Sequence, residues 1–182
     1  MDSQATYTIL VNMKYCAQCG GELLKINDTK YQCTACKRHQ FNNPKGAVAL
    51  ILFDDQNRAV LTRRAREPDK DKLDPLGGFI DYGENAETAL FRELNEETGL
   101  DESDISTPCY IYSGYQEYRW HGLIEPLVSM WFLASLTTDK SLEPHDDVSA
   151  FESFHEGQVP QSELASPKAI AIINRAFQLS QE

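Results

Sequence analysis

The sequence contains no apolar run approaching the ~18–20 residues that a membrane span needs, so a helical membrane protein is excluded by length alone. Its first residues, MDSQATYTILVNMKYC, lack a basic stretch followed by a long apolar core. A secretory leader is therefore not expected, and the cytoplasm is the default expectation. Positive charge is scarce: 17 Lys and Arg stand against 28 Asp and Glu, for a net charge of −11. That balance argues against a protein whose main task is gripping bulk nucleic acid, because phosphate neutralisation needs basic surface. It does not exclude phosphate chemistry, since carboxylates hold divalent cations and those cations hold phosphates. No internal repeat or low-complexity tract interrupts the chain.

What remains is a chain of 182 residues, 41% apolar, the size of one ordinary domain or of one domain with a small module. Four of its five cysteines form two CxxC pairs, Cys16/Cys19 and Cys33/Cys36, separated by 13 residues. Without an export signal this pattern suggests metal before disulfides. The spacing is close to that of four-cysteine zinc sites, in which two knuckles clamp one tetrahedral ion. Gly20-Gly21 suits the first knuckle turn, whereas Lys37-Arg38 stands where the second would more usually have glycine. His39 reads as a surface histidine and Cys109 as a buried strand thiol. A closed four-sulfur site is structural, so a zinc here is not expected to perform chemistry.

These features divide the chain into an N-terminal extension (1–13), a ribbon module (14–40) and a main domain (41–182). In the last, AVALILF (47–53) and RAVLTRR (58–64) predict a strand hairpin across Asp54-Asp55-Gln56-Asn57. Asn85 and Gly99 predict the caps of a helix over 86–98. Strand-like runs recur at 109–118, 127–136 and 148–155. Ser166-Pro167 predicts a cap and first-turn proline before an amphipathic helix, KAIAIINRAFQL. The pattern is β-rich with two helices, an α/β or α+β arrangement in a single domain.

The stretch Gly77–Leu100, GGFIDYGENAETALFRELNEETGL, holds six acidic residues and one arginine. At 100° per residue, Glu93, Glu96 and Glu97 fall within roughly a 100° arc. Leu90, Phe91, Leu94 and Thr98 fill a neighbouring arc suited to a core. Ala86 and Ala89 lie on the acidic side, leaving open space beside the carboxylates. An acidic helix is by itself usually a solvated face. Here a glycine pair opens the stretch, a glycine closes it, and Arg92 stands beside the three glutamates.

These residues resemble the Nudix box, G-x5-E-x7-R-E-U-x-E-E-x-G-U with U aliphatic: Gly78, Glu84, Arg92-Glu93-Leu94, Glu96-Glu97 and Gly99-Leu100 fill every fixed position. The resemblance implies an α/β/α sandwich with a mixed sheet, preceded by a zinc ribbon. It implies hydrolysis of the pyrophosphate of a nucleoside diphosphate linked to another moiety, with Mg²⁺ or Mn²⁺ as cofactor. Glu93, Glu96 and Glu97 would hold the metal with help from the Gly78 carbonyl, and Glu84 would pair with Arg92. The general base stays open between Glu96 on the helix and Glu143, Asp146 or Asp147 in a later loop. One departure is Asp74-Pro75-Leu76-Gly77-Gly78, which places proline one position earlier than many members do, while the box itself is intact.

A ribbon before such a domain is similar to two arrangements. The NADH pyrophosphatases, some of which remove NAD caps from RNA, carry a signature SQPWPFPxS after the box, and this chain lacks it. Short ADP-ribose pyrophosphatase-like proteins match better, through NNPKGAVALIL, LTRRAREPDKDKLDPLGGF and VSAFESFHEGQVP. A non-catalytic ligand sensor with an interaction ribbon is the alternative outside enzymology. For the substrate, Arg63, Arg64 and Arg66 read equally as phosphate clamps or as a solvated strand end. Tyr115, Tyr118 and Trp120, in a loop after 109–114, read as base-stacking rings or as rim. Trp131 and Phe132 are expected in the core. The expected partner is a small-molecule nucleotide, with no membrane; a homodimer stays open.

Overall fold

A computed structural model describes residues 8–9, 13–120 and 123–181. The N-terminal extension therefore lies outside the described residues except for Thr8–Ile9 and Met13. In chain order the strands are β1 (Thr8–Ile9), β2 (Leu23–Lys25), β3 (Lys30–Cys33), β4 (His39–Phe41), β5 (Lys45–Phe53), β6 (Ala59–Arg64), β7 (Leu73–Asp74), β8 (Cys109–Trp120), β9 (Leu123–Ser135) and β10 (Val148–Phe154). The helices are α1 (Ala86–Thr98) and α2 (Ala169–Leu179). The chain divides into two compact units, Met1–Lys45 with Tyr115–Leu127, and Gly46–Gly114 with Val128–Glu182.

The first unit contains an antiparallel sheet in the order β2-β3-β4 and the short parallel pairing of β1 with the start of β9. The larger sheet follows the order β1-β9-β5-β6-β10, with β7 along β6 and β8 along β9, and is mixed in direction. Its central hairpin forms as the sequence predicts. Asp54 closes it by accepting the backbone N–H groups of Gln56 and Arg58 and by pairing with the Arg58 guanidinium at 2.7 Å.

β5 is apolar without alternation because both of its faces are covered. Ala49, Ile51 and Phe53 face one core, with Ile173, Ala176 and Phe177 of α2. Val48, Leu50 and Leu52 face another, with Ala89, Leu90 and Leu94 of α1. This is the expected α/β/α sandwich, with the sheet between two helices. Phe177 meets Phe53 edge to face at 4.9 Å, and each such buried ring contributes about 1.5–3 kcal/mol. Trp131 and Phe132 are buried as expected. Among the described residues no helix is long and apolar enough to cross a membrane.

Three expectations change. Ala89 is fully buried in the core instead of bordering open space beside the acids. Cys109 is exposed, at the start of β8. The C-terminal helix begins at Ala169; Lys168 precedes it without a side-chain cap, and Ser166 contributes only its carbonyl, to the Ala169 N–H.

Candidate functional site

α1 is terminated as its sequence dictates. The Asn85 side chain accepts the Thr88 N–H at 2.8 Å, and Gly99 takes φ +73° while donating to Asn95 O. Between these caps the helix turns its apolar stripe to the core and Glu93 and Glu97 toward the Gly77-Gly78 loop, while Glu96 is exposed beside Arg92. That loop has no room for side chains. A Cβ on Gly77, at φ +131°, would stand 2.3 Å from the Val48 carbonyl oxygen. One on Gly78 would stand 2.4 Å from a Glu93 carboxylate oxygen. The Gly77 N–H donates to Glu97 Oε2 at 2.9 Å, and the Gly78 carbonyl accepts the Val48 N–H.

Arg92 organises the other acids. Its Nε and one terminal nitrogen grip both oxygens of Glu84 at 2.8 and 3.0 Å. The second terminal nitrogen reaches Glu93 Oε1 at 2.8 Å and Glu96 Oε2 at 2.9 Å. A fifth bond goes to the Phe79 carbonyl at 2.9 Å. Five contacts match the five donors of a guanidinium. Glu84 in turn accepts the Asp81 N–H, which tightens the loop before the helix. Arg92 thus bonds to Glu93 and Glu96 as well as to Glu84.

Glu97 is only 6% exposed. Burial pushes its carboxyl up to about 9, partly offset by the Gly77 N–H and reinforced by the negative Asp147, Glu93 and Asp74. Burial also raises Glu93, against the pull of Arg92. The Asp74 carboxyl is pushed up to about 6 by desolvation, with Arg64 opposing at 3.2 Å. Asp74 is a member of this acidic set that sequence reasoning passed over. Its one signal was an acid standing just before the box.

The later loop reaches the same place. Glu143 and His145 donate their N–H groups to the carbonyls of Thr98 and Glu97, at the end of α1. Among the loop acids, Asp147 lies within electrostatic reach of Glu93, Glu97 and Asp74. Asp146 pairs instead with Arg66 at 3.5 Å, and Glu143 is exposed beside His145.

Of the residues read for substrate binding, Arg63 donates to Glu152, to Glu163 and to the Asp71 carbonyl. Arg64 donates to the Pro68 carbonyl and to Asp74. Both guanidinium groups therefore tie neighbouring segments together. Tyr115 and Tyr118 lie within β8 rather than in a loop, because the strand runs on to Trp120. Tyr115 is exposed. The side chain of Trp120 lies outside the described residues.

The acidic set suits a hard divalent cation by its chemistry: clustered carboxylates with more negative charge than Arg92 balances. Glu93 and Glu96 are turned to Arg92 and Glu97 to Gly77, so the three do not converge on one point. The only group of three or more His, Cys, Asp or Glu donors found within 4.8 Å of one another, among the described residues, is the cysteine quartet.

In that quartet, Cys16 and Cys36 sulfurs are 3.8 Å apart and Cys19 and Cys33 sulfurs 3.5 Å apart. A tetrahedron of Zn–S bonds of ≈ 2.3 Å has edges of about 3.8 Å, so the donor set fits zinc. The two knuckles repeat each other: Gly20 N–H returns to Cys16 O, and Lys37 N–H returns to Cys33 O. Lys37 takes φ +61°, the left-handed conformation that Gly20 takes at +70°. Lysine thus occupies the place of the expected glycine at a modest strain. The N–H groups of Cys36 and Ala35 hold the Cys33 thiol down to about 6 despite burial, which favours the thiolate a metal requires. His39 is exposed and stands outside the quartet.

Comparison with known proteins places this geometry. The family description "NUDIX domain" matches residues 43–175. The chain is 30% identical over 95 residues to the NAD-capped RNA hydrolase NudC of Vibrio atlanticus, covering 52% of this chain and 35% of that protein. It is 36% identical over 125 residues to an RNA pyrophosphohydrolase of Legionella pneumophila, covering 60% and 69%. The first three curated relatives it matches are spanned over only 35%, 55% and 27% of their lengths. Among solved structures, a NUDIX hydrolase from Nitrosomonas europaea is similar with a TM-score of 0.68 and 25% identity, over 93% of each chain.

Proposed function

Because the NUDIX domain accounts for residues 43–175, the chain belongs to the Nudix family, and we propose that it hydrolyses the pyrophosphate bond of a nucleoside diphosphate linked to a second moiety, with Mg²⁺ or Mn²⁺ as cofactor. The observation that carries this reading is the buried Glu97, with the like-charged Glu93, Asp147 and Asp74 around it beside a glycine loop. ADP-ribose and related sugar or dinucleotide diphosphates are the substrate class.

Glu93, Glu96 and Glu97 would hold the cation, with the Gly78 carbonyl as a further oxygen. The bound cation supplies charge neutralisation on the phosphate oxygens and acidifies water. Arg92 and Glu84 position the ligating carboxylates by locking helix to loop. Gly77 and Gly78 let backbone, free of side chains, approach the phosphate. Asp147, the loop acid within electrostatic reach of Glu93 and Glu97, would take a proton from the attacking water. The four cysteines would hold a structural Zn²⁺.

A second reading, with the diphosphate at the 5′ end of an RNA, is favoured by the RNA-directed activities named for two of the relatives.

The test is turnover of ADP-ribose, NADH, NAD-capped RNA and 5′-triphosphate RNA with Mg²⁺ and Mn²⁺. Glu93→Gln and Glu97→Gln are each expected to lower kcat at least 100-fold with the fold intact by circular dichroism. Wild-type turnover in both variants would overturn the ligand assignment, and tight binding of one compound without turnover in wild type would favour the sensor.

A further inference from the structure

Charge is distributed unevenly along the chain. Between Met13 and Lys45 six basic residues stand against two acidic ones, Glu22 and Asp28, in a protein whose net charge is −11. This basic segment holds a cleft of about 350 Å³ lined by Lys14, Tyr15, Glu22, Leu23, Lys25 and Tyr31. Lys25 and Tyr31 are directly opposed on β2 and β3, so their side chains share one face. Lys25 also pairs with Asp28 at 2.8 Å, but the pair is solvent-exposed and holds the ammonium only weakly.

Tyr31 carries the decisive observation. It is 2% exposed, and its hydroxyl is the one buried side-chain polar atom found without a hydrogen-bond partner among the described residues. An unpaired buried hydroxyl costs stability that phenylalanine would not. Tyr31 lines the basic cleft, and a ligand that brings oxygen would give its hydroxyl a partner. The remaining lining indicates which ligand. The Lys14 and Lys25 ammonium groups suit a phosphate, and the Tyr15 ring, 67% exposed, offers a stacking face for a base. The Tyr31 hydroxyl suits a ribose hydroxyl, which both donates and accepts. Lys30, Lys37 and Arg38 lie beyond the cleft and exceed what one nucleotide requires.

We propose that this cleft holds one ribose-phosphate unit of a single-stranded RNA, and that the ribbon's other basic residues attract the rest of the strand. The choice of RNA rests on the second reading above, whereas occupancy of the cleft by a nucleotide does not.

The test is fluorescence anisotropy of the full-length, zinc-loaded protein with a 12-nucleotide RNA bearing a 5′-hydroxyl. That probe has no anhydride, so its binding is independent of whether the protein is a hydrolase. Affinity is expected to fall as salt rises. Tyr31→Phe is expected to weaken binding at least fivefold with unchanged zinc content and an equal or higher Tm. Lys14→Glu, on the surface, is expected to weaken it about tenfold, and serves should Tyr31→Phe misfold. Equal binding by wild type and Lys14→Glu, or by wild type and a folded Tyr31→Phe, would overturn the site. Equal or tighter binding of the DNA strand of the same sequence would overturn RNA as the ligand. AMP that binds as tightly as the 12-mer would overturn a strand in favour of a free nucleotide.

Discussion

Glu97 illustrates how one side chain can be held in a form that its role does not use. Without metal, burial among Asp147, Glu93 and Asp74 keeps its proton on to about pH 9, far above the ordinary 4.5. A raised folded-state value means that the stability it contributes is fully present below about pH 4.5 and is lost as pH rises through about 9. Metal-free protein is therefore expected to lose about 1–3 kcal/mol in urea unfolding between pH 6 and pH 9. Glu97→Gln should flatten that slope, and saturating Mg²⁺ should remove it in wild type. A slope unchanged in the variant would assign the effect to other carboxylates. At this scale the sequence was informative where partners are near in the chain and poor where they are distant. The pair Glu84–Arg92, separated by eight residues, was implied by the resemblance to the Nudix box. The Arg63 partners Glu152 and Glu163 lie 89 and 100 residues away, and only the register of β6 against β10 brings Glu152 to it. Asp74 was missed for the same reason, since the acids it joins, Glu97 and Asp147, stand far from it along the chain.

Helix α1 is the element that carries the candidate site, and its two ends are defined by single residues. Asn85→Ala removes the one side-chain bond to the first turn and is expected to cost about 1 kcal/mol. Gly99→Ala forces a Cβ into φ +73° and is expected to cost about 1–2 kcal/mol. Thermal melts of both variants check this, and a Gly99→Asn melt closer to wild type would confirm that conformation rather than packing is at stake. Caps, periodicity and the β5-β6 hairpin were readable in advance because each is local. The start of α2 was not, because Ser166 lies three residues before the helix and its side chain takes no part. Ala89 was misplaced because arc geometry shows which side of a helix a residue occupies, not how far the neighbouring core extends around it.

At the scale of the whole molecule, the acids of the candidate hydrolytic site belong to one compact unit and the cysteine quartet to the other. Removing zinc with a selective chelator in excess Mg²⁺ is therefore expected to open residues 13–45 to proteolysis. Turnover of a small diphosphate by the second unit is expected to fall less than about threefold. Loss of turnover in parallel with zinc would show that the ribbon completes the active site. Composition gave the net charge of the molecule but not its distribution. The net charge of −11 argued against nucleic acid, while the local excess of lysine in the ribbon argues for it.

The five bonds of Arg92 also bear on the order in which the molecule is assembled. A helix of clustered glutamates would be expected to need its cation in order to form. Here a guanidinium built into the same helix already bonds to Glu84, Glu93 and Glu96 and offsets part of their charge, so the helix can form on a nascent chain that has met no magnesium. The cysteine quartet has no such cationic side chain among its four sulfurs, and under the proposed zinc site its two knuckles would close on the ion. A zinc in the quartet would thus belong to the birth of this protein, and a divalent cation at the acids only to its working life.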